Sequence, residues 1–159
     1  MMPSPTSETL VRAAETLLSA AREHNIAILH CIAETDRDPP PINKILATWD
    51  VQFKPIFSAN PEMGHEYAAL APKNNGSTSR EVVYTRPPGL RSVLQEDVVS
   101  YLRGLGVTHP ILAGIATSGS VMGTMSHATF VVTIVTDACW DPTAQAHTTL
   151  IDTAIPNLA

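Results

Sequence analysis

Pro110-Ile111-Leu112-Ala113-Gly114-Ile115-Ala116-Thr117-Ser118-Gly119-Ser120-Val121 is the stretch on which the reading of this chain turns. Its first half is a short, unbroken apolar run, the pattern of a strand covered on both faces. Its second half is made of small residues, Ala116 to Ser120. From about Gly119 to Thr129, Val121, Met122, Met125 and Ala128 then share one helical face. The stretch is therefore a buried strand followed closely by a helix.

Working outward, the same two periodicities recur. Downstream, residues 130–136 form the clearest strand, Asp137-Ala138 ends it, and residues 143–155 make a last helix. Upstream, Leu94, Val98, Tyr101, Leu102 and Leu105 define a helical face that Gly104 and Gly106 terminate. Residues 81–85 read as a strand before it. Nearer the start, Leu10, Val11, Ala14, Leu17, Leu18 and Ala21 recur at helical spacing, Asn25 supplies a stop, and residues 26–33 are another buried strand. Between these, residues 42–49 read as a short helix, residues 51–57 as extended chain, and Ala68-Ala69-Leu70-Ala71 as a brief helix stopped by Pro72.

This order predicts a single α/β domain over residues 1–159, Rossmann-like and three-layered, with a mainly parallel sheet and helices on both faces. Thirteen prolines, with runs at Pro39-Pro40-Pro41 and Pro87-Pro88, mark loops, and residues 36–79 are expected to be an irregular, proline-rich region. Ligands of such sheets bind at the carboxyl ends of the strands. The functional edge is then residues 34–38, 85–89, 115–120 and 137–141.

Composition removes several function classes. With 159 residues, 44% hydrophobic and 16% charged, the chain suits one compact core. A net charge of −5 with scattered Lys and Arg offers no basic stripe for nucleic acid. No apolar run reaches the roughly 20 residues of a membrane span, and residues 1–8 lack a secretory pattern. Two cysteines, Cys31 and Cys139, point to a reducing compartment, so a cytoplasmic protein is expected. The six histidines show no zinc-type spacing, so neither a metal nor another cofactor is expected.

The segment 114–121, with Thr124 and Ala128 after it, resembles the signature G-[VI]-A-T-x-x-C-V-x-x-T of the isochorismatase-like (cysteine hydrolase) superfamily. Residues 132–138 are similar to that family's strand ending in Asp-Ala, and His147 falls where a histidine is common. Residues 17–28 are similar to its first helix and the strand after it. The resemblance implies hydrolysis of a C–N or C–O bond in a small organic acid, amide or ester.

Carried over residue by residue, the resemblance puts Ser120 at the position of the nucleophilic cysteine. A thiol there is favoured as thiolate by the helix dipole, whereas a hydroxyl needs a neighbouring base. Ser120 therefore reads either as nucleophile or as a helix cap. The family's lysine aligns with Thr85, and Arg86, one place on, is the alternative cation, either holding an anion or lying solvated in its loop. The Ile115–Ala116 peptide corresponds to a cis bond, and the amides of Ala116 and Ser120 correspond to an oxyanion hole. The family's aspartate ends a strand ahead of the first helix. Here the chain enters helix almost directly, which leaves a domain shortened at its N-terminus, a strand lent by a partner chain, or a rearranged sheet.

The substrate is expected to meet Thr117, Glu34, Trp49 and Trp140. For each there is a plainer alternative: Glu34, Asp36 and Asp38 as solvated loop acids, and Trp49, Phe53, Phe57 and Trp140 as core or subunit contacts. His30 reads as a satisfied core histidine and Cys139 as a packing residue. Three functions follow: a hydrolase with a degenerate triad, an inactive homologue serving as scaffold, or an isomerase using the same pocket. A small-molecule ligand and a homo-oligomer are expected, and a scaffold in particular would form a defined oligomer.

Overall fold

The computed structural model describes residues 5–73 and 80–157. Residues 1–4, half of the stretch that lacks a secretory pattern, lie outside them, as do residues 74–79 at the end of the proline-rich stretch and residues 158–159. The chain divides into two compact units: Glu15–Leu90, and Arg91–Ala159 together with the leading residues up to Ala14. Each holds one pair of parallel strands. The protein is thus α/β with parallel pairing, as the element order predicts.

α1 spans Pro5–Glu23, and its end is set by local chemistry. Asn25 takes a left-handed backbone (φ 52°). The Ile26 amide then donates to Ala21 at 2.8 Å and the Asn25 amide to Arg22 at 3.2 Å. This paired closure satisfies carbonyls that a bare helix end leaves orphaned. In the first unit β1 (Ile28–Ala33) pairs with β2 (Glu81–Arg86), from Ile28 opposite Glu81 to Ala33 opposite Arg86.

Between β1 and β2 the chain is helical where residues 51–57 read as extended. α2 (Leu46–Thr48) runs through a π turn (Trp49–Phe53) into α3 (Lys54–Ala59), and a 3₁₀ turn follows at Pro61–Gly64. The cause is aromatic spacing. Trp49, Phe53 and Phe57 recur every fourth residue, and their rings gather 6.2 Å and 5.8 Å from the indole. Packing on one helical face overrides the weak strand signal of Val51 and Phe53.

Gly89 closes the Pro87-Pro88 turn with a left-handed backbone (φ 84°). A Cβ there would sit 2.7 Å from Asn43 Oδ1 and Ile45 Cγ2. Asn43 Nδ2 also donates to the Gly89 carbonyl at 2.9 Å. Gly89→Ala is expected to lower stability by about 1–2 kcal/mol, the cost of forcing an L-residue into this region. A denaturant midpoint equal to that of the unmodified chain would refute this.

In the second unit, α4 (Glu96–Gly104) buries Val98 and Leu102 and ends at Gly106 (φ 71°) with the same paired closure as α1. β3 (Ile111–Ile115) pairs with β4 (Thr133–Trp140). The strand read at 130–136 lies further on, and Asp137-Ala138 sits inside it rather than ending it. The reason is a bulge. Ile111 and Leu112 face Thr133 and Ile134, but Gly114 faces Cys139 and Ile115 faces Trp140. Ala113 alone is thus set against Val135, Thr136, Asp137 and Ala138. Gly114 (φ 120°) supplies the backbone that lets pairing resume. Past β3, a π turn (Thr117–Val121) leads into α5 (Met122–Ser126), and α6 (Ala144–Thr149) with a final π turn (Leu150–Ala154) follows β4.

Candidate active site

The bend after β3 is held by side chains rather than by chance. The Ile115–Ala116 peptide is cis, as the resemblance implies. The Ala116 carbonyl accepts from the Gly119 amide at 3.0 Å and the Val121 amide at 3.3 Å, which closes the first turn of the helix. Thr117 is wholly buried, and its hydroxyl lies 2.8 Å from His147 Nδ1 on α6. The next amide, Ser118, donates to Asp141 Oδ2 at 2.7 Å. Two successive residues of the bend are therefore pinned to the segment that follows β4. Ser120 stands half-buried in the first turn beyond them.

Asp141 is buried and immediately follows β4, where Asp-Pro-Thr makes a turn into α6. Its Oδ1 accepts from the Thr143 amide at 3.0 Å, so one carboxylate ties both loops. Burial pushes its pKa up. Hydrogen bonds from Ser118 and Thr143, with the nearby charge of His147, outweigh that and hold it below the ordinary aspartate value. Trp140, opposite Ile115 in the register, is half-buried at the same strand end.

In the first unit, the carboxyl ends of β1 and β2 bring Glu34, Thr85 and Arg86 together. The Thr85 hydroxyl donates to Glu34 Oε1 at 2.9 Å, and Arg37 donates to Glu34 Oε2 at 3.1 Å. These two bonds lower the Glu34 pKa, the Thr85 bond most. Arg86 is buried, which lowers its pKa, and its carbonyl accepts from the Glu34 amide at 2.9 Å. Burial likewise pushes the Cys31 thiol up to about 11 although Arg86 pulls the other way, and it raises Cys139. Neither thiol is a ready nucleophile at neutral pH.

Trp49 is 2% exposed, and its indole N–H donates to Asp38 Oδ1 at 3.0 Å, an acceptor shared with Lys54 Nζ. His30 is hydrogen-bonded to Glu66 through Nδ1, while its buried Nε2 has no hydrogen-bond partner among the described residues and lies 3.4 Å from Glu81 Oε2. Asp141 was not singled out from sequence, yet an aspartate three residues ahead of a helix is a recognisable turn signal. Its tie to Ser118 joins residues 23 apart and had no local signature. Among the described residues no group of three His, Cys, Asp or Glu side chains gathers as metal ligands, and no helix is long and apolar enough to cross a membrane.

An α/β chain with parallel strands in this element order shares its fold with solved structures of the isochorismatase family. The isochorismatase domain model matches residues 2–159, and the chain belongs to that family. An isochorismatase family protein from Burkholderia thailandensis is 23% identical, with a TM-score of 0.70, over 100% of this chain and 80% of that one. The nicotinamidase of Bacillus subtilis is 12% identical with a TM-score of 0.66, over 96% of this chain and 83% of that one. N-carbamoylsarcosine amidase from Thermoplasma acidophilum is 14% identical with a TM-score of 0.63, over 95% and 83%. These likenesses establish the shared fold. Comparison with curated proteins gives no match.

Proposed function

We propose that this chain is a hydrolase of the isochorismatase family that cleaves a small organic acid, amide or ester, with Ser120 in the nucleophile's place. The observation that carries this reading is the double pinning of the bend, Thr117 to His147 and Ser118 to Asp141. A bend fixed this way keeps the amides of Ala116 and Ser120 in one orientation, and preorganised donors are what stabilise a developing oxyanion. The amidase activities named for two fold relatives agree with a C–N bond as target.

In the proposed reaction the Ser120 oxygen bonds to the substrate carbonyl carbon, and the hydroxyl proton passes to the nitrogen or oxygen of the group that leaves when the C–N or C–O bond breaks. The carbonyl oxygen becomes the anion facing the Ala116 and Ser120 amides. Collapse expels an amine or alcohol, and water then releases the acyl group. Arg86 keeps its charge even when buried, so its role is to hold a carboxylate or oxyanion rather than to shuttle protons. In the first unit Thr85 and Glu34, bonded to each other, offer a polar pair with an acceptor; in the second, Thr117 and Trp140 flank the bend. A homo-oligomer is proposed with it, to be read from size-exclusion chromatography.

The test is p-nitrophenyl acetate followed by mass spectrometry. One acetyl adduct on Ser120 is expected in the unmodified chain and none in Ser120→Ala. Raised thiol pKa values keep Cys31 and Cys139 from competing. A second reading, an inactive homologue, is favoured by the Thr85–Glu34 bond, which leaves a hydroxyl where the family carries a lysine. No adduct on Ser120 would decide for it.

A further inference from the structure

A second constellation lies within the first unit. His30, in the middle of β1, is 4% exposed. Its Nδ1 lies 2.9 Å from Glu66 Oε1, and its Nε2 lies 3.4 Å from Glu81 Oε2. The two carboxylates approach opposite ring nitrogens, so they clamp the imidazole rather than form a chelating set. Glu81 is secured independently. Arg22 Nε and Nη2 donate to it at 2.6 Å and 3.1 Å, and the Lys73 amide at 2.9 Å. Glu66 is not. Its Oε2 is buried with no hydrogen-bond partner among the described residues, and its side chain is 23% accessible.

Glu66 belongs to the segment 61–73, which leaves the 3₁₀ turn and crosses to the start of β2. Gly64 lies so close to Thr35, just past the end of β1, that a Cβ would collide with its hydroxyl. Further on, the Ala71 carbonyl accepts from Arg22 Nη2 at 3.4 Å. The segment is thus a strap fastened at Thr35, at His30 and at the Arg22–Glu81 pair. Only the middle fastening depends on a group that titrates near neutrality.

We propose that the segment 61–73 is a pH-gated strap, held down when His30 is protonated and released around Glu66 as the proton leaves. The protonated ring donates to Glu66 through Nδ1 and attracts Glu81 through Nε2, and the four charged groups, Arg22, His30, Glu66 and Glu81, then balance. The neutral ring has one N–H, so one carboxylate faces a lone pair and the cluster carries one uncompensated negative charge. Glu81 stays, because three other donors hold it. Glu66 leaves, because it has one partner and a path to water. Burial pulls the His30 pKa down, but bonds and charges of Glu66 and Glu81 more than offset this, leaving it above the ordinary 6.5. The fastening is therefore complete below 6.5 and is lost as pH rises through the higher folded value. Release would uncover Thr35 beside Glu34. That consequence rests on Glu34 as a ligand-facing residue, while the strap itself does not.

Hydrogen–deuterium exchange of the full chain, corrected for intrinsic rates, tests this between about pH 5 and 9, the span that brackets a histidine. Protection of peptides within 61–73 is expected to fall about tenfold, the equivalent of one pKa unit of coupling, while β1 and β2 peptides hold theirs. The midpoint should coincide with the His30 ring titration followed by NMR. In Glu66→Gln the fall should vanish and the His30 midpoint should move down. Constant protection of the strap, a midpoint distinct from that of His30, or an unchanged fall in Glu66→Gln would each overturn the proposal. None of these readouts depends on hydrolysis, so the fate of the Ser120 reading does not affect them.

Discussion

Trp49→Ala is expected to cost about 3–5 kcal/mol, the range for deleting a buried large aromatic. The indole is 2% exposed and carries two ring contacts, to Phe53 and Phe57, which hold three short helical turns as one piece. None of those turns is stable by itself, because helices this short lack the hydrogen bonds to offset nucleation. Removing the indole also frees Asp38, leaving only Lys54 on its Oδ1. That loss is small at an exposed site, so the cost is almost all packing. Trp49→Phe should recover more than half of it. Urea unfolding followed by circular dichroism is the measurement, and a cost below about 1 kcal/mol, as at a surface site, would show the aromatic cluster to be dispensable.

Asp141→Ala is the second large effect, expected at about 2–3 kcal/mol. Two amides, of Ser118 and Thr143, lose a charged acceptor, and such bonds contribute about 1.5–3 kcal/mol each before water replaces part of them. The pH dependence has a definite sign. The folded Asp141 pKa lies below 3.8, so its contribution is present above 3.8 and lost as pH falls through the lower folded value. The variant should therefore show a flatter acid limb than the unmodified chain. Asp141→Asn keeps one acceptor oxygen and should fall between the two. If Ser120 takes an acyl group, its rate of acylation should drop in Asp141→Ala while the Thr117–His147 tie remains. Equal stability of Asp141→Ala and the unmodified chain at neutral pH would remove Asp141 as the brace of the bend.

The strand and the helix at 110–121 were legible because each has a local signal, an unbroken apolar run and apolar positions at helical spacing; the bend between them was legible through the family signature it resembles. Helix ends at Asn25 and Gly106 were legible for the same reason, since a left-handed residue favours Asn or Gly. The helical turns around Trp49 were not, because Val51 and Phe53 carry strand propensity and the four-residue aromatic spacing acts only once the rings meet. The displacement of β4 was not, because a bulge leaves the composition of a strand unchanged while moving its register.

The sequence by itself determined the parallel α/β class, the family and the position of the bend, since these depend on residues adjacent in the chain. Tertiary structure alone decided what fastens that bend and what surrounds His30. Asp141 reaches Ser118 across 23 positions, His147 reaches Thr117 across 30, and Glu66 reaches His30 across 36. No periodicity encodes such pairs, because a buried charge or hydroxyl takes its partner from whichever element the fold brings within hydrogen-bond distance.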